Sequence, residues 1–436
     1  MQVKTRTQET VYPAEPSAGG VIELSNNDQI MPRLYTSLLF FFGEKPAPHE
    51  PSASLKSSLA ETLSLFYPVA GRYRERANGE LEIMCNDAGA SFHEAWVDCG
   101  FDSFLPKFEP HPDFALLAPP LDASADVSQI PLLLAQITHF ECGRICLGIR
   151  LHHNVCDGFS TGHFLSSWAI LASGKVYRNS ERVDAQHVIK PYLDRSLLKA
   201  NNPPSPIAEH PEYQTFMPDL PSTWPPSTSK VFHFTPDCID DLRARASSGL
   251  APIHSRFEAL AAYIWRGIIH TRGLASNQEI RLGMAVDGRK RFNPALPEGY
   301  FGNANFYGYT TCKAGELVES PLSFAADLLK SAIAKVDDAH MRSALDWVAK
   351  QGSRKSVVAA FCTPFIDLAV TSWSKFPFYE LDFGWGKPLC VRIPVSAFDG
   401  LVILLPSPLG AGHVDALVGL SIQLMPKFEH YMSNRL

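Results

Sequence analysis

The stretch Cys142–Trp168, CGRICLGIRLHHNVCDGFSTGHFLSSW, changes its hydrophobic period part-way through, and that change decides the fold. Ile145, Leu147, Ile149 and Leu151 alternate with Cys146, Gly148, Arg150 and His152. Successive side chains of a strand point to opposite faces, so this run predicts a strand with one apolar face. Extended by one residue, the same parity puts His153 on the apolar face and His152 on the other. One histidine of the pair should therefore point inward at the strand's end. Asp157 and Gly158 then turn the chain into a predicted helix. Phe164, Leu165, Trp168 and Leu171 form its apolar face, and Ser160 or Thr161 is the expected cap.

An imidazole at the end of a strand, with an unperturbed pKa near ~6.5, suits a general base at neutral pH. Adjacent strand residues point apart, so His152 and His153 cannot ligate one ion together, and no metal site is predicted. Asp157 can orient the imidazole, or it can pair with an arginine and hold the turn. The residues alone leave both readings open.

Outward from this segment, short strands alternate with helices. Leu55, Leu59 and Leu63 lie four apart on one predicted helix. Arg256 to Trp265 is another, with Ser255 as its N-cap. Leu81–Ile83, Leu132–Phe140, Arg281–Val286 and Leu401–Leu405 read as strands. The pattern predicts an α/β chain built on large mixed sheets. Eight of the 34 prolines fall between Asn201 and Lys230. Proline fixes φ and removes a donor, so this stretch should be neither helix nor central strand. It is read as a crossover (201–230) between an N-terminal domain (1–200) and a C-terminal one (231–436).

Composition narrows the function classes. With 39 Lys+Arg against 45 Asp+Glu the formal charge is −6, in no long runs, which argues against a nucleic-acid binder. No apolar run reaches the ~18 residues of a membrane span, and the first residues lack a secretory pattern. The nine cysteines have no framework spacing, so free thiols and a cytoplasmic setting are expected. No Gly-rich phosphate loop supports a nucleotide-driven mechanism.

His153-Asn154-Val155-Cys156-Asp157-Gly158 matches the HxxxDG signature of the BAHD family of plant CoA-dependent acyltransferases, and Asp382-Phe383-Gly384-Trp385-Gly386 matches its DFGWG signature. The two stand in the family's order, more than 200 residues apart. Tyr67–Arg72, Asp287–Arg289, Gly299–Asn303 and Thr371–Trp373 extend the likeness along nearly the whole chain. Pro191–Arg195 and Val286–Arg291 resemble the hydroxycinnamoyl-CoA:shikimate/quinate branch. The resemblance implies two similar chloramphenicol-acetyltransferase-like domains with a solvent channel between them, acting as a monomer. Acyl-CoA serves as co-substrate, with no permanently bound cofactor.

By the same resemblance, His153 removes the acceptor's proton and the alkoxide attacks the thioester directly, so Cys156 need not be a nucleophile. Trp373, whose indole can only donate, stands where the family stabilises the oxyanion. Asp157 supports the site by pairing with Arg289 or Arg291, Asp382 competes for one of them, and Gly384 and Gly386 shape a structural loop. Ser255 and Arg256, at a helix start, are the candidates for holding CoA. Tyr35, Thr36, Leu38, Phe40, Thr371, Lys375, Arg354 and Lys355 are the candidates around the acceptor. Leu38 and Phe40 stand where the branch has hydroxyl-bearing side chains. The implied reaction is hydroxycinnamoyl transfer to the hydroxyl of shikimate, quinate or a related hydroxy acid. The alternatives are N-acylation of a polyamine such as spermidine, suggested by Tyr12–Pro16 and served by Glu380, or a non-catalytic member acting as a binding partner.

Overall fold

The computed structural model describes residues 2–43, 51–101, 110–122, 124–173, 176–178, 181–183, 188–215, 226–247, 254–352, 357–361, 363, 365–394 and 398–435. Twelve of its strands form two six-stranded sheets. In chain order these are β1 (Val3–Val11), β2 (Tyr35–Phe42), β3 (Ala90–Val97), β4 (Leu133–Phe140), β5 (Ile145–His152), β6 (Ser227–Phe234), β7 (Glu279–Asp287), β8 (Asn305–Lys313), β9 (Leu368–Ser372), β10 (Pro388–Arg392), β11 (Leu401–Pro406) and β12 (Val414–Ser421). The first sheet runs β1-β3-β4-β5-β2-β10 and the second β6-β12-β11-β9-β7-β8. Both are mixed. The β3–β4 pair is parallel in the first, and β9 runs parallel to both β7 and β11 in the second.

The predicted alternation of β5 is realised. Ile145, Leu147, Ile149 and Leu151 join Leu38, Phe40 and Phe42 of β2 in the first core. Onto that face pack helices α1 (Pro51–Leu65), through Leu55, Leu59 and Leu63, and α2 (Gly158–Ser173), through Phe164, Leu165 and Trp168. Trp168 donates from Nε1 to Ser58 Oγ at 3.0 Å, satisfying its one polar atom inside the core. The helix cap differs from expectation. Asp157, not Ser160 or Thr161, accepts from the Ser160 N–H at 3.0 Å, and both hydroxyl residues lie inside the helix.

The second sheet is covered by α3 (Pro236–Ala246), α4 (Arg256–Arg272), α5 (Leu322–Ala334) and α7 (Met425–Arg435). Ser255 caps α4 in a reciprocal box with Glu258, as its sequence predicts. A third cluster, with Met31, Tyr213, Tyr300, Phe306, Met341 and Leu345, joins the halves beside α6 (Asp338–Lys350). The described part of the proline-rich stretch is tied to α6. Asp346 accepts from the backbone of Asn201 and Ser205, and Ser343 Oγ from the Ile207 N–H. Its last residues enter β6, an edge strand, where proline-flanked backbone is tolerated.

The first sheet takes its last strand, β10, from residues 388–392. The preceding DFGWG loop is drawn into the first core, with Phe383 5.3 Å from the ring of Trp168 and Trp385 5.4 Å from that of Phe42.

Candidate active site

A cavity of about 2600 Å³ is lined by strands of both sheets. It is lined from the first sheet by Tyr35, Thr36, Ser37, Arg150, His152 and His153, and from the second by Thr371, Trp373 and Lys375. Strand β5 ends at His152, and His153 begins the turn that leads into α2. The backbone of His153 is held from both sides. Its N–H donates to Leu34 O at 2.8 Å, and its carbonyl accepts from Asn303 Nδ2 at 2.8 Å. The same Asn303 amide and its N–H also donate to Asp28 Oδ1, each at 2.9 Å. Asp28 in turn meets Arg195 at 2.8 Å, and Arg195 donates to Val155 O. The turn carrying His153 is therefore fixed by a buried polar network whose members come from four separate stretches of sequence.

The two adjacent histidines have different surroundings. His152 is buried, its Nδ1 2.9 Å from Tyr73 Oη, and burial, with smaller effects from His153 and Arg33, lowers its pKa to about 3. His153 is half-buried, and its Nδ1 is enclosed without a hydrogen-bond partner.

Asp157 does not reach the imidazole. Its Oδ2 accepts from Arg289 Nη1 and the Ala304 N–H, and its Oδ1 from Arg289 Nη2 and the Ser160 N–H, at 2.9–3.0 Å. Burial alone would push this carboxyl up, but Arg289 and the backbone donors hold it below the usual carboxylate range. Of the two candidate partners, Arg291 is excluded, since its Nη1 donates to the carbonyls of Ile333 and Val336. Asp382 competes for neither arginine. Its Oδ1 accepts from the N–H groups of Gly384 and Gly386 at 2.7 and 3.0 Å, closing a loop in which both glycines have positive φ.

Trp373 follows β9, its N–H donating to Leu404 O at 2.7 Å. Its ring packs at 6.2 Å from Phe378, while Nε1 has no hydrogen-bond partner among the described residues. That Nε1 lies beside Gly158, where an added Cβ would meet it at 3.4 Å and Phe376 Cε2 at 2.7 Å. The glycine after Asp157 is thus required by the approach of the tryptophan loop from the other half.

Of the acceptor candidates, Tyr35, Thr36, Thr371 and Lys375 line the cavity, though Tyr35 Oη is already donated to Pro131 O at 2.6 Å. Leu38 and Phe40 do not. They are 1% and 0% exposed, within the first core, because the pleat turns them under the sheet toward α1 and α2. Arg354 and Lys355 lie outside the described residues. Cys156 is buried beside Thr161, and burial pushes its thiol up to about 12, against any nucleophilic use. Glu380, the candidate for an amine acceptor, pairs with Lys387 at the surface.

The model of the Transferase family matches residues 1–435. The chain belongs to this family, the BAHD acyltransferases. It is 35% identical over 99% of both chains to shikimate O-hydroxycinnamoyltransferase of Nicotiana tabacum. It is 33% identical over the full length of both chains to hydroxycinnamoyl-CoA:5-hydroxyanthranilate N-hydroxycinnamoyltransferase of Avena sativa. A solved F. graminearum structure, complexed with coenzyme A and T-2 mycotoxin, superposes with a TM-score of 0.75 at 18% identity, over 94% of this chain and 96% of that one. The fold is the two-domain chloramphenicol-acetyltransferase-like one.

This BAHD chain is a CoA-dependent acyltransferase, and its family uses acyl-CoA as co-substrate. At the α4 end of its cavity, Ser255 and Arg256 both line the wall. Ser255 is committed to the capping box, and Arg256 donates to Gly412 O. Among the described residues, one cluster has metal-ligating side chains, His210, Glu212 and His340, away from the cavity lining. Hydrogen bonds already engage it. Glu212 Oε1 lies 2.8 Å from both imidazoles, and Ser343 Oγ 2.8 Å from His210 Nε2. No helix among the described residues is long and apolar enough to cross a membrane. Sequence reasoning passed over Arg150, Ser37 and His93 of the acyltransferase cavity. Their signal was present in β5, where an arginine shares the face of His152 in an otherwise apolar strand.

Proposed function

We propose that this acyltransferase moves a hydroxycinnamoyl group from its CoA thioester to the hydroxyl of a small carboxylate-bearing acceptor such as shikimate, quinate or a related hydroxy acid. The observation that carries the reading is the joint presence of His153 and Trp373, from opposite halves of the chain, on one cavity of about 2600 Å³. Single-ligand pockets run to roughly 1000 Å³, so this one has room for acyl-CoA and acceptor together. The tobacco relative, named for shikimate and the hydroxycinnamoyl group, supports both choices.

In this mechanism Nε2 of His153 takes the acceptor's proton as the oxygen attacks the thioester carbonyl. The Trp373 indole N–H donates to the oxygen on which negative charge develops. The tetrahedral intermediate collapses, expelling the CoA thiolate, which takes up the proton held by His153. Asp157 acts at a distance by holding the turn through Arg289, and Asp382, Gly384 and Gly386 hold the loop beneath β10. Thr36 and Thr371 offer hydroxyls to the acceptor, and Lys375 a cation at the rim. The N-terminus of α4, with Ser255 and Arg256, would face the phosphates of CoA. Because each half supplies part of the site and β10 crosses to the first sheet, residues 1–200 and 231–436, separated by cleavage in 201–230, would be inactive apart.

Amide formation is the second reading, favoured by the Avena relative, whose named acceptor is an aminated aromatic acid. A polyamine is less favoured, since Asp157 and Asp287 on the wall are engaged by Arg289 and the exposed Asp122 and Glu298 stand among the cations Arg150, Lys290 and Lys375. The test is to incubate the purified protein with p-coumaroyl-CoA and a pool of shikimate, quinate, 5-hydroxyanthranilate and spermidine, then identify products by mass spectrometry. Ester products are expected, and an exclusively amide product would overturn the proposal.

A further inference from the structure

Four arginines are classed as buried among the described residues, and three of them meet a carboxylate. Arg195 lies 2.8 Å from Asp28, Arg289 2.9 Å from Asp157, and Arg392 3.2 Å from Asp415. Arg150 is the exception. It is 8% exposed, its Nε donates to Pro119 O at 2.7 Å, and its Nη1 donates to Ser37 Oγ at 2.9 Å. Both partners are neutral, and Nη2 has no partner among the described residues. Withdrawing a cation from water without a counter-charge is costly, and buried charges are paired as a rule.

The surroundings of Arg150 form a site. Ser37, Arg150, Leu134 and Ser91 make one row across β2, β5, β4 and β3, on the face turned away from α1 and α2. All four line the catalytic cavity, as does His93 in the next row. Ser91 Oγ lies 2.9 Å from His93 Nε2, and His93 Nδ1 is enclosed without a partner. Residues 120–122 and the stretch 125–131 supply a further part of the wall. The latter is held to the sheet by Tyr35 Oη at Pro131 O. Asp122, the carboxylate of that wall, is exposed and turned onto the N–H and hydroxyl of Ser124.

We infer that Arg150, with the hydroxyl of Ser37 beside it and that of Ser91 two strands away in the same row, is the subsite that takes the carboxylate of the acceptor. The inference rests on the proposed acyl transfer to a hydroxy acid and says which cation reads the acid. Arg150 and His153 are three residues apart, about 10 Å along the chain. A small hydroxy acid spans that interval with its hydroxyl toward the base and its acid group toward the guanidinium. Arg289 and Arg256, the other arginines on the wall beside Arg33, already serve Asp157 and Gly412, and Arg33 pairs with Glu75.

The test compares shikimate and quinate with their methyl esters as acceptors for wild type, Arg150→Gln and Arg150→Lys, using the full chain. Wild type should favour the free acids. Arg150→Gln should raise KM for the acids about tenfold or more, the scale of a lost charge-assisted hydrogen bond, leaving KM for the esters and for p-coumaroyl-CoA unchanged. Arg150→Lys should restore part of the preference. A wild type indifferent to esterification, or a preference that survives in Arg150→Gln, overturns the subsite. Absence of transfer to all four compounds sinks the acceptor reading instead. The subsite is then decided by calorimetric titration with benzoate, which should bind wild type and not Arg150→Gln; equal binding or none at all overturns it.

Discussion

Asp157 and Arg289 meet through two parallel hydrogen bonds of 2.9 Å, carboxylate to guanidinium, across 132 residues of sequence. Four donors fill the carboxylate, so the aspartate of HxxxDG has no lone pair to offer His153. The pair locks the start of α2, from the first half, onto the backbone of Gly302 and Ala304 from the second. Replacing Asp157 with Ala leaves a buried guanidinium beside only the half-exposed Asp287. The expected cost is about 3–5 kcal/mol, the usual range for breaking a buried pair. Chemical denaturation measures it, and the residual activity should keep the pH profile of wild type, because the base itself is untouched.

His153→Ala removes the base and leaves its backbone anchors, Leu34 and Asn303, in place. Transfer from p-coumaroyl-CoA should fall by about 10²–10⁴-fold, the range for general-base catalysis. Thermal midpoint should change little, as the side chain is only half-buried. A variant that transfers near the wild-type rate would remove His153 from the mechanism.

Trp373→Phe keeps an aromatic ring against Phe376 and Phe378 and deletes the N–H donor. Loss of one oxyanion donor predicts a fall in kcat of about 10²–10³-fold with KM nearly unchanged. Gly158→Ala is the complementary probe, since its methyl would press on Phe376 and Trp373. Alanine suits a helix better than glycine, yet displacing the indole should still cost up to about 100-fold in kcat. If the alanine variant is fully active, the indole is not placed by this contact.

The His152 pKa, lowered to about 3, has a consequence for acid stability. Between its ordinary value of 6.5 and 3 the unfolded chain binds a proton that the folded one refuses. Stability should therefore fall as pH drops through that window. Glu212, held at about 2 because the bonds from His210 and His340 outweigh its burial, adds a further loss from 4.5 downward. His152→Asn should flatten the pH dependence of the urea midpoint from pH 6.5 down to about 3, leaving only the Glu212 loss below 4.5. An unchanged slope would mean that His152 is not the group that titrates.

The sequence by itself determined the parts governed by local periodicity and short motifs. Alternation in Ile145–Leu151 and the leucine spacing in α1 need only the pleat and the helical repeat, so strand, turn and helix were legible around HxxxDG. So were the capping of α4 by Ser255 and, through the two signatures, the family. The tertiary structure decided what depends on partners far along the chain. Asp157 chose Arg289 over Arg291 because Arg291 faces the carbonyls at the end of α5. Leu38 and Phe40 proved to be core, since alternation gives two faces but does not say which one the helices cover. Arg150, unremarked in an apolar strand, became significant only when the other buried arginines were seen to have carboxylates and it did not. Periodicity is a property of neighbouring residues, whereas charge compensation and access to a cavity belong to surfaces that the fold alone brings together.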